Sequence, residues 1–169
     1  MDIRLERAEL EDKERLFALM QSYIKEFSAF EPVMPDRNGI YPYANFDRYF
    51  SEKGRLPFFI TADGKTAGLV LVNRTHYVRL WHPSRSIAEF YVCPEYRRHR
   101  VGTAAARKLV ESMGGWWQLM MHPKNKPSHE FWKRTFDYPG VQFVSTRRGP
   151  VWYDGDLRGT VMTFKVKKK

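Results

Sequence analysis

A short basic stretch lies between a run of β-forming residues and a run with helical spacing. It covers residues 94–103 and reads PEYRRHRVGT. Its basic side chains are Arg97, Arg98, His99 and Arg100. A helix that begins at Val101 leaves its first backbone N–H groups without intrahelical acceptors, and the helix dipole adds positive potential. Gly102 and Thr103 are small enough for a ligand to approach these donors. The stretch therefore predicts a phosphate site, with a solvated basic turn as the alternative.

The strand before this stretch carries one carboxylate, Glu89, in the sequence AEFYV. Strand alternation puts Glu89 and Tyr91 on one face of the sheet and Phe90 and Val92 on the other. A partly buried carboxylate there acquires a raised pKa and can accept a proton from an ammonium group, directly or through water. It could also hold a cationic substrate, or pair with one of the many arginines. Glu89 is therefore the candidate general base.

The remaining reactive residue types predict neither covalent nor metal chemistry. The single cysteine, Cys93, excludes an internal disulfide and a cysteine zinc site, and we interpret it as a buried spectator. The five histidines lack the spacing of a metalloenzyme motif, so no metal site is predicted. No side chain in the sequence therefore has the features of an activated nucleophile.

The whole chain suits one domain with an anionic partner. Its 169 residues are 43% hydrophobic, enough for a single core, so we expect one domain over residues 1–169. The net charge of +10 indicates a nucleic acid, an anionic surface or a polyphosphate cofactor. Residues 165–169 are expected to form a disordered basic tail. No apolar membrane span or signal-peptide core is visible, so we expect a cytoplasmic protein that does not bind membranes.

The elements that must position these residues follow from hydrophobic periodicity. The order is β-α-(α)-β-β-β-α-β-α-β-β, with a hairpin at Asp63-Gly64 and a helix stop at Gly114-Gly115. The third strand of an antiparallel meander leads through the basic stretch into a helix and then a parallel strand. This predicts a mixed α/β fold: a mainly antiparallel sheet, a central parallel strand pair and helices on both faces.

The segment FYVCPEYRRHRVGTAAARKL resembles the acyl-CoA-binding motif of the GNAT superfamily of N-acyltransferases. That motif runs from a strand through Pro-Glu-Tyr and Arg/Gln-x-x-Gly-x-Gly/Ala into a helix. Arg97 matches the Arg/Gln position and Gly102 the last position, but Arg100 replaces the first glycine. The flanking elements also follow the family's order, so the resemblance covers most of the chain, with its specific part at residues 87–136. It implies that the two central parallel strands splay apart.

The resemblance also implies acetyl-CoA as the cofactor, with its pyrophosphate on the loop amides and its pantetheine arm between the splayed strands. The implied cofactor-binding residues are Phe90, Val92, Arg97, Arg98, His99, Arg100, Val101, Gly102, Thr103, Asn125 and Trp132. We expect Arg100 to take a helical conformation, in which arginine fits. A positive φ there would cost about 1 kcal/mol, and weakened CoA binding is the rival interpretation.

The resemblance leaves the general acid open. GNAT enzymes often carry a tyrosine in the pattern Asn-x-x-Ala-x-x-Phe-Tyr. The matching residues here are Asn125, Ser128, Phe131 and Trp132. An indole N–H cannot release a proton at neutral pH, so three alternatives stay open. The thiolate leaves unassisted or with water, another hydroxyl such as Tyr91 or Tyr138 serves, or the protein does not catalyse acyl transfer. Asn125 either bonds the cofactor's amide arm or caps its own helix.

These observations predict an N-acetyltransferase that moves an acetyl group from acetyl-CoA to a primary amine in a ternary complex, with Glu89 and Tyr91 as catalytic residues. The acceptor is a small molecule or a peptide. The alternative is a non-catalytic module that binds CoA or nucleic acid, although no nucleic-acid motif is present and we expect no such partner. The oligomeric state is open, with a homodimer among the possibilities. Aromatic candidates for the substrate mouth are Trp81, Tyr41, Tyr43 and Trp152.

Overall fold

The computed structural model describes residues 1–153 and 157–168, with the backbone alone at 151–153. The strands are β1 (Ile3–Arg7), β2 (Leu56–Ala62), β3 (Lys65–Asn73), β4 (Ser84–Val92), β5 (Gly115–Met121), β6 (Val141–Tyr153) and β7 (Leu157–Val166). The helices are α1 (Lys13–Phe27), α2 (Val101–Met113) and α3 (Lys126–Phe136). The optional helix after α1 is a single 3-10 turn at Phe46–Tyr49. The order of elements is the predicted one.

The seven strands form one sheet in the order β1-β2-β3-β4-β5-β7-β6. Every neighbouring pair is antiparallel except β4 and β5, which are parallel and are joined through α2. The predicted mixed α/β class, with a parallel pair inside a mainly antiparallel sheet, is confirmed. The predicted hairpin between β2 and β3 is also confirmed, since Asp63 and Gly64 both have positive φ, at 50° and 76°.

Helices cover both faces of the sheet, as predicted. On one face, α1 buries Leu16, Met20 and Ile24, which recur every four residues and so share one side of the helix. They pack against apolar side chains of β2, β3 and β4. On the other face, α2 and α3 bury a second cluster that includes Leu109 and Phe136. The two clusters fix α1 on the opposite side of β4 from α2 and α3.

The parallel pair β4–β5 separates part of the way along its length. Its last paired residues are Ile87 and Leu119, although β4 continues to Val92 and β5 to Met121. On its other edge β4 stays paired with β3, but the register shifts so that Ala88 is an extra residue. Such a bulge bends and twists a strand. β4 therefore follows β3 away from β5, and a cleft opens between the two strands.

The C-terminal tail begins later than the sequence indicated. Lys165 and Val166 were expected in a disordered tail, but both belong to β7 and pair with Trp116 and Gly115 of β5. Val166 is buried because strand alternation points it into the core with Phe164. The expectation was therefore wrong for these two residues. No helix in the described part of the chain has the length and apolarity needed to cross a bilayer.

Candidate active site

The cleft between β4 and β5 opens into a cavity of about 1020 Å³. Residues of α1 and the loop after it form one wall, and the start of α2 together with α3 forms the other. Almost all of the predicted site residues line this cavity. They are Glu89, Phe90, Tyr91, Val92, Arg97, Arg98, Arg100, Val101, Gly102, Thr103, Asn125 and Trp132. His99 is exposed and is not among the lining residues.

Glu89 accepts hydrogen bonds from two tyrosine hydroxyls. Tyr23 donates to Oε2 over 2.5 Å and Tyr43 donates to Oε1 over 2.9 Å. Burial raises the pKa of Glu89 to about 6, against the opposing effect of these two donors. Burial and the nearby Glu89 charge also raise the pKa of Tyr43, so this phenol keeps its proton. The result is a fixed carboxylate that is ionised at neutral pH and can take up a proton.

The two tyrosine partners come from segments that the sequence did not connect to Glu89. Tyr23 lies in α1, which the sequence predicted only as a helix, and Tyr43 was a candidate for the substrate mouth. Of the other mouth candidates, Trp81 is 96% exposed, and neither it nor Tyr41 lines the cavity. The Trp152 side chain lies outside the described residues.

The basic loop has a backbone that the sequence did not predict. Arg98 and Arg100 both have φ of 62°, in the left-handed region. The expectation of a helical Arg100 was wrong, because Arg100 is the residue that turns the chain into α2 rather than the first residue within the helix. The family's usual glycine suits this φ, whereas arginine bears a steric cost of about 1 kcal/mol.

The start of α2 nevertheless presents backbone donors to the cavity. The helix begins at Val101. The Ala104 N–H donates to the carbonyl oxygen of Arg100, the residue before the helix, over 3.0 Å. The N–H groups of Val101, Gly102 and Thr103 precede that bond and have no intrahelical acceptor. A Cβ at Gly102 would lie 3.2 Å from the Phe131 ring and 3.3 Å from Val92. Gly102 therefore allows the first turn of α2 to approach α3 and β4.

Arg97 fastens the loop to its surroundings. Its Nε donates to the Val92 carbonyl over 2.8 Å, and its terminal nitrogen donates to Glu26 of α1 over 2.7 Å. The guanidinium also lies over the Tyr91 ring, 5.4 Å from its centre. These contacts occupy the side chain with protein groups. Arg97 thus holds the turn in place, while the exposed Arg98 and Arg100 are the side chains open to an anion.

Asn125 and Trp132, two of the implied cofactor-binding residues, lie at the start of α3 and within it. Asn125 caps the helix, with its side-chain oxygen accepting from the Ser128 N–H over 3.2 Å. Trp132 is buried, and its ring centre lies 5.0 Å from that of Phe90 and 5.5 Å from that of Phe136. Tyr138, the other hydroxyl considered as a proton donor, does not line the cavity. Tyr91 does line it, and burial raises its pKa.

His122 forms a link that sequence reasoning missed. It follows β5, is buried and lines the cavity. The Lys124 N–H donates to His122 Nδ1 over 3.1 Å, and Nε2 lies 3.1 Å from a carboxylate oxygen of Glu31. Because Nδ1 accepts, the neutral ring carries its proton on Nε2 and donates it to Glu31. Both ring nitrogens are thus engaged, and His122 ties the segment after α1 to the end of β5. These residues are 91 positions apart, so no local signal could pair them.

Cys93 lies at the end of β4 but does not line the cavity. It is buried, and burial raises the pKa of its thiol. A thiol with a raised pKa holds little thiolate at neutral pH and is a poor nucleophile. The interpretation of Cys93 as a spectator is consistent with this position.

A splayed parallel pair, a helix N-terminus at the cleft and a carboxylate between the walls define an acyltransferase site of the acetyl-CoA type. The model of the Acetyltransferase (GNAT) family matches residues 16–138, which is most of the chain. The chain therefore belongs to the GNAT acetyltransferase family. It is an acyltransferase with acetyl-CoA as its cofactor, as the resemblance implied.

Solved structures of the same fold align over nearly the whole chain. A histone acetyltransferase HPA2 and related acetyltransferase from Corynebacterium glutamicum is 12% identical, with a TM-score of 0.70 and coverage of 100% of this chain and 99% of that one. PaiA N-acetyltransferase from Thermoplasma acidophilum, in complex with coenzyme A, is 18% identical, with a TM-score of 0.60 and coverage of 98% and 99%. The ribosomal-protein-S18-alanine N-acetyltransferase from Escherichia coli is 15% identical, with a TM-score of 0.61 and coverage of 99% and 96%. No curated protein matches the sequence significantly. At sequence identities this low, the structural likeness shows a shared fold.

Replacing Arg100 with glycine should stabilise the protein, because glycine takes a positive φ without steric cost. We expect Arg100→Gly and Arg98→Gly each to raise the free energy of unfolding by up to about 1 kcal/mol. His99→Gly is the matched control: His99 has no positive φ, so glycine there should lower stability by about 0.5–1 kcal/mol. Urea denaturation measures all three. A loss of stability in Arg100→Gly would contradict the strained turn.

The Glu89 pKa should also appear in the pH dependence of stability. A folded pKa of about 6, above the ordinary 4.5, means that the folded state binds the proton more tightly. This contribution is complete below pH 4.5 and is lost as the pH rises through 6. Glu89→Gln should therefore gain about 2 kcal/mol relative to the wild type between pH 4.5 and pH 7.5. Urea denaturation of both proteins at the two pH values measures the difference. A difference that does not change with pH would contradict the raised pKa.

Proposed function

We propose that the protein transfers an acetyl group from acetyl-CoA directly to a primary amine, with Glu89 as the general base. The observation that carries the proposal is the position of Glu89, inside the cleft between β4 and β5 and held by Tyr23 and Tyr43. A base for amine chemistry has to be ionised near neutral pH and still able to accept a proton. A carboxylate with a pKa of about 6 meets both needs.

The residues around the cleft fit the cofactor at both ends. Acetyl-CoA supplies the acetyl group as a thioester, whose C–S bond is exchanged for the new C–N bond, with the CoA thiol as the second product. The N–H groups of Val101, Gly102 and Thr103 would bind its pyrophosphate, with Arg98 and Arg100 adding positive charge. Beyond Ile87 the edge of β4 has no strand partner towards β5, so its backbone groups could bind an extended arm that carries amides.

Glu89 would take the proton that the ammonium form of the acceptor has to lose before its nitrogen can attack. The two phenols hold the carboxylate in one position, which reduces the reorganisation that proton transfer requires. The same negative charge attracts the acceptor as an ammonium ion. After transfer the proton leaves Glu89 to solvent through the open side of the cavity.

The departing thiolate needs a proton or a hydrogen-bond donor, and Tyr91 is the remaining candidate. It lies on the same face of β4 as Glu89 and lines the cavity. Because burial raises its pKa, Tyr91 is protonated at neutral pH. Trp132, in the position of the family's usual tyrosine, can donate a hydrogen bond but not a proton. We assign Tyr91 as the donor. Its phenolate would take up the second proton that the nitrogen loses as the amide forms, so that Tyr91 is restored and the net proton released is the one on Glu89. The Tyr91→Phe variant should lower kcat in a thiol-release assay without changing the acetyl-CoA affinity measured by calorimetry.

Direct transfer is preferred over a covalent intermediate because the nearest thiol, Cys93, is buried outside the cavity lining. The family match also favours an enzyme over the alternative, a non-catalytic module that binds nucleic acid. The net charge of +10 suits a cofactor with several phosphate charges. Steep salt dependence of binding to an oligonucleotide would support that alternative.

Glu89 should determine how the rate of turnover depends on pH. In the wild type, kcat/KM should rise with an apparent pKa near 6 and then stay level to about pH 9, since the ammonium form of the acceptor is the reactant. Glu89→Gln should lower kcat at pH 7.5 by about 100-fold or more. Its rate should then rise with pH up to the acceptor's own pKa, because only the neutral amine can react.

A thiol-release assay over pH 5–9 measures these profiles, and calorimetry should give an acetyl-CoA Kd within twofold of the wild-type value. Glu95→Gln, which changes an exposed carboxylate beside the basic loop, is the matched control and should behave as the wild type. Equal kcat in Glu89→Gln and the wild type would remove Glu89 from the mechanism.

The basic loop and the start of α2 should determine the affinity for CoA. Gly102→Trp should weaken CoA binding at least tenfold, because a side chain at this position meets Phe131 and Val92 and displaces the start of α2. Arg97→Ala should weaken it less, by loosening the loop. Gly39→Trp is the control for a bulky side chain outside the cavity; because Gly39 has a φ of 77°, this variant should be less stable, but its CoA affinity should not change. Calorimetry with CoA measures binding, and saturating CoA should stabilise the wild type by about 2.7 kcal/mol at a hundredfold excess over Kd. Unchanged affinity in both loop variants would overturn the assignment.

A further inference from the structure

One side of the cavity carries a row of aromatic rings, which we call the aromatic wall: Tyr91, Tyr23, Phe27 and Phe30. Neighbouring ring centres are 5.8 Å apart for Tyr91–Tyr23, 5.8 Å for Tyr23–Phe27 and 6.1 Å for Phe27–Phe30. Tyr23 and Phe27 are four residues apart in α1 and so lie on one face of the helix. All four rings line the cavity. The wall begins beside Glu89, to which the Tyr23 hydroxyl is bonded.

The charges around the aromatic wall are few, and each has a partner. Among the cavity-lining residues between positions 23 and 43, Glu26 is the only charged one, and it is paired with Arg97. His122 stands edge-on to Phe27 at 5.8 Å and faces Glu31. Val33 and Pro42 extend the apolar surface. Glu89, in contrast to Glu26, accepts its side-chain hydrogen bonds from two neutral phenols and is not paired with a cation in them.

We propose that the acceptor is an arylalkylamine: a single primary ammonium group joined by a short alkyl chain to an aromatic ring. This inference rests on the function proposed above and names its substrate class. The ammonium would lie against Glu89 while the ring packs on the aromatic wall, where offset or edge contacts between rings are favourable. A carboxylate at one end and an apolar surface beyond it match a molecule with one charge and one apolar body.

Other amine classes fit this wall poorly. A polyamine or an aminoglycoside would bring further ammonium groups against Phe27 and Phe30, where each would lose water without gaining a carboxylate. An acidic peptide would need a cation on the wall, and the lining residues between positions 23 and 43 supply none. Of the arginines that line the cavity, Arg98 and Arg100 lie beside the start of α2, and Arg134 lies in α3. Arg97 lies over the Tyr91 ring, but its charge is paired with Glu26.

The test compares an arylalkylamine with an amine that lacks the ring and with a polyamine, in a thiol-release assay with acetyl-CoA at pH 7.5. The probes are 2-phenylethylamine, propylamine and spermidine. We expect kcat/KM for 2-phenylethylamine to exceed that for each of the other two by at least tenfold. Equal or higher kcat/KM for spermidine or propylamine would overturn the substrate class while leaving the proposed acetyl transfer intact.

Variants then connect the preference to the aromatic wall. Phe27→Ala should raise KM for 2-phenylethylamine at least tenfold and leave KM for propylamine within twofold. Phe27→Leu keeps most of the apolar volume and serves if the alanine variant does not fold; it should raise the same KM by a smaller factor. Phe143→Ala, at a 45%-exposed ring beside Trp116 on β5, is the matched control and should change neither value. Equal effects of Phe27→Ala on both amines would contradict the inference.

Two further experiments test the acceptor class independently of the proposed acetyl transfer. If no amine is acetylated, binding of 2-phenylethylamine to the CoA-bound protein is measured by saturation-transfer NMR, with spermidine as competitor. Binding that spermidine does not displace would support the wall as an arylalkylamine site even if the proposed transfer fails. Absence of binding would overturn it. A higher rate with octanoyl-CoA than with acetyl-CoA, whatever the amine, would assign the wall to the acyl group and overturn it as well.

Discussion

The last paired residues of β4 and β5 are Ile87 and Leu119, and the site lies beyond them. Unpaired backbone groups inside a sheet are costly unless water or a ligand satisfies them, so this opening needs structural support. The support comes from the bulge at Ala88, which keeps β4 on β3 while it leaves β5. Phe90 and Trp132 pack on one side of the opening, with ring centres 5.0 Å apart. The cleft is therefore held open by packing, and its backbone groups face the cavity.

Within that cleft the protein maintains a carboxylate at some cost to its own stability. Burial without a cationic partner raises the Glu89 pKa to about 6, which corresponds to about 2 kcal/mol of stability lost at neutral pH. The two phenols reduce this cost but do not neutralise the charge. Arg97 lines the same cavity but is bonded to Glu26 and Val92, so under the proposed function the cation that pairs with Glu89 would be the acceptor. Burial of Glu89 thus has two effects: it lowers the stability of the protein at neutral pH, and it makes the carboxylate more basic.

The sequence predicted those features that depend on local patterns. The hairpin at Asp63-Gly64, the end of α2 at Gly114, the alternation of Glu89 and Phe90, and the helix beginning at Val101 each follow from a few neighbouring residues. The family match added the splayed strands and the cofactor.

The sequence could not predict contacts made between distant segments. Tyr23 and Tyr43 lie 66 and 46 residues from Glu89, and nothing in their own neighbourhoods distinguishes them from core or loop aromatics. Arg100 was misjudged for another reason: the first residue of a helix and the residue that caps it differ by one position, but their φ values differ in sign. Propensity arguments do not have that resolution at helix ends.

Under the proposed function, the donor side of the cavity would consist largely of main-chain atoms: the N–H groups that open α2 and the free edge of β4. Every amino acid except proline supplies both groups, so recognition there would place little demand on side-chain identity beyond a small residue at Gly102. Such a half-site can accumulate substitutions freely, which is consistent with one architecture persisting at 12–18% identity. The opposite half is made of side chains alone. During evolution, substitutions in these side chains can adapt the site to a new acceptor while the backbone that would bind the acyl donor stays the same.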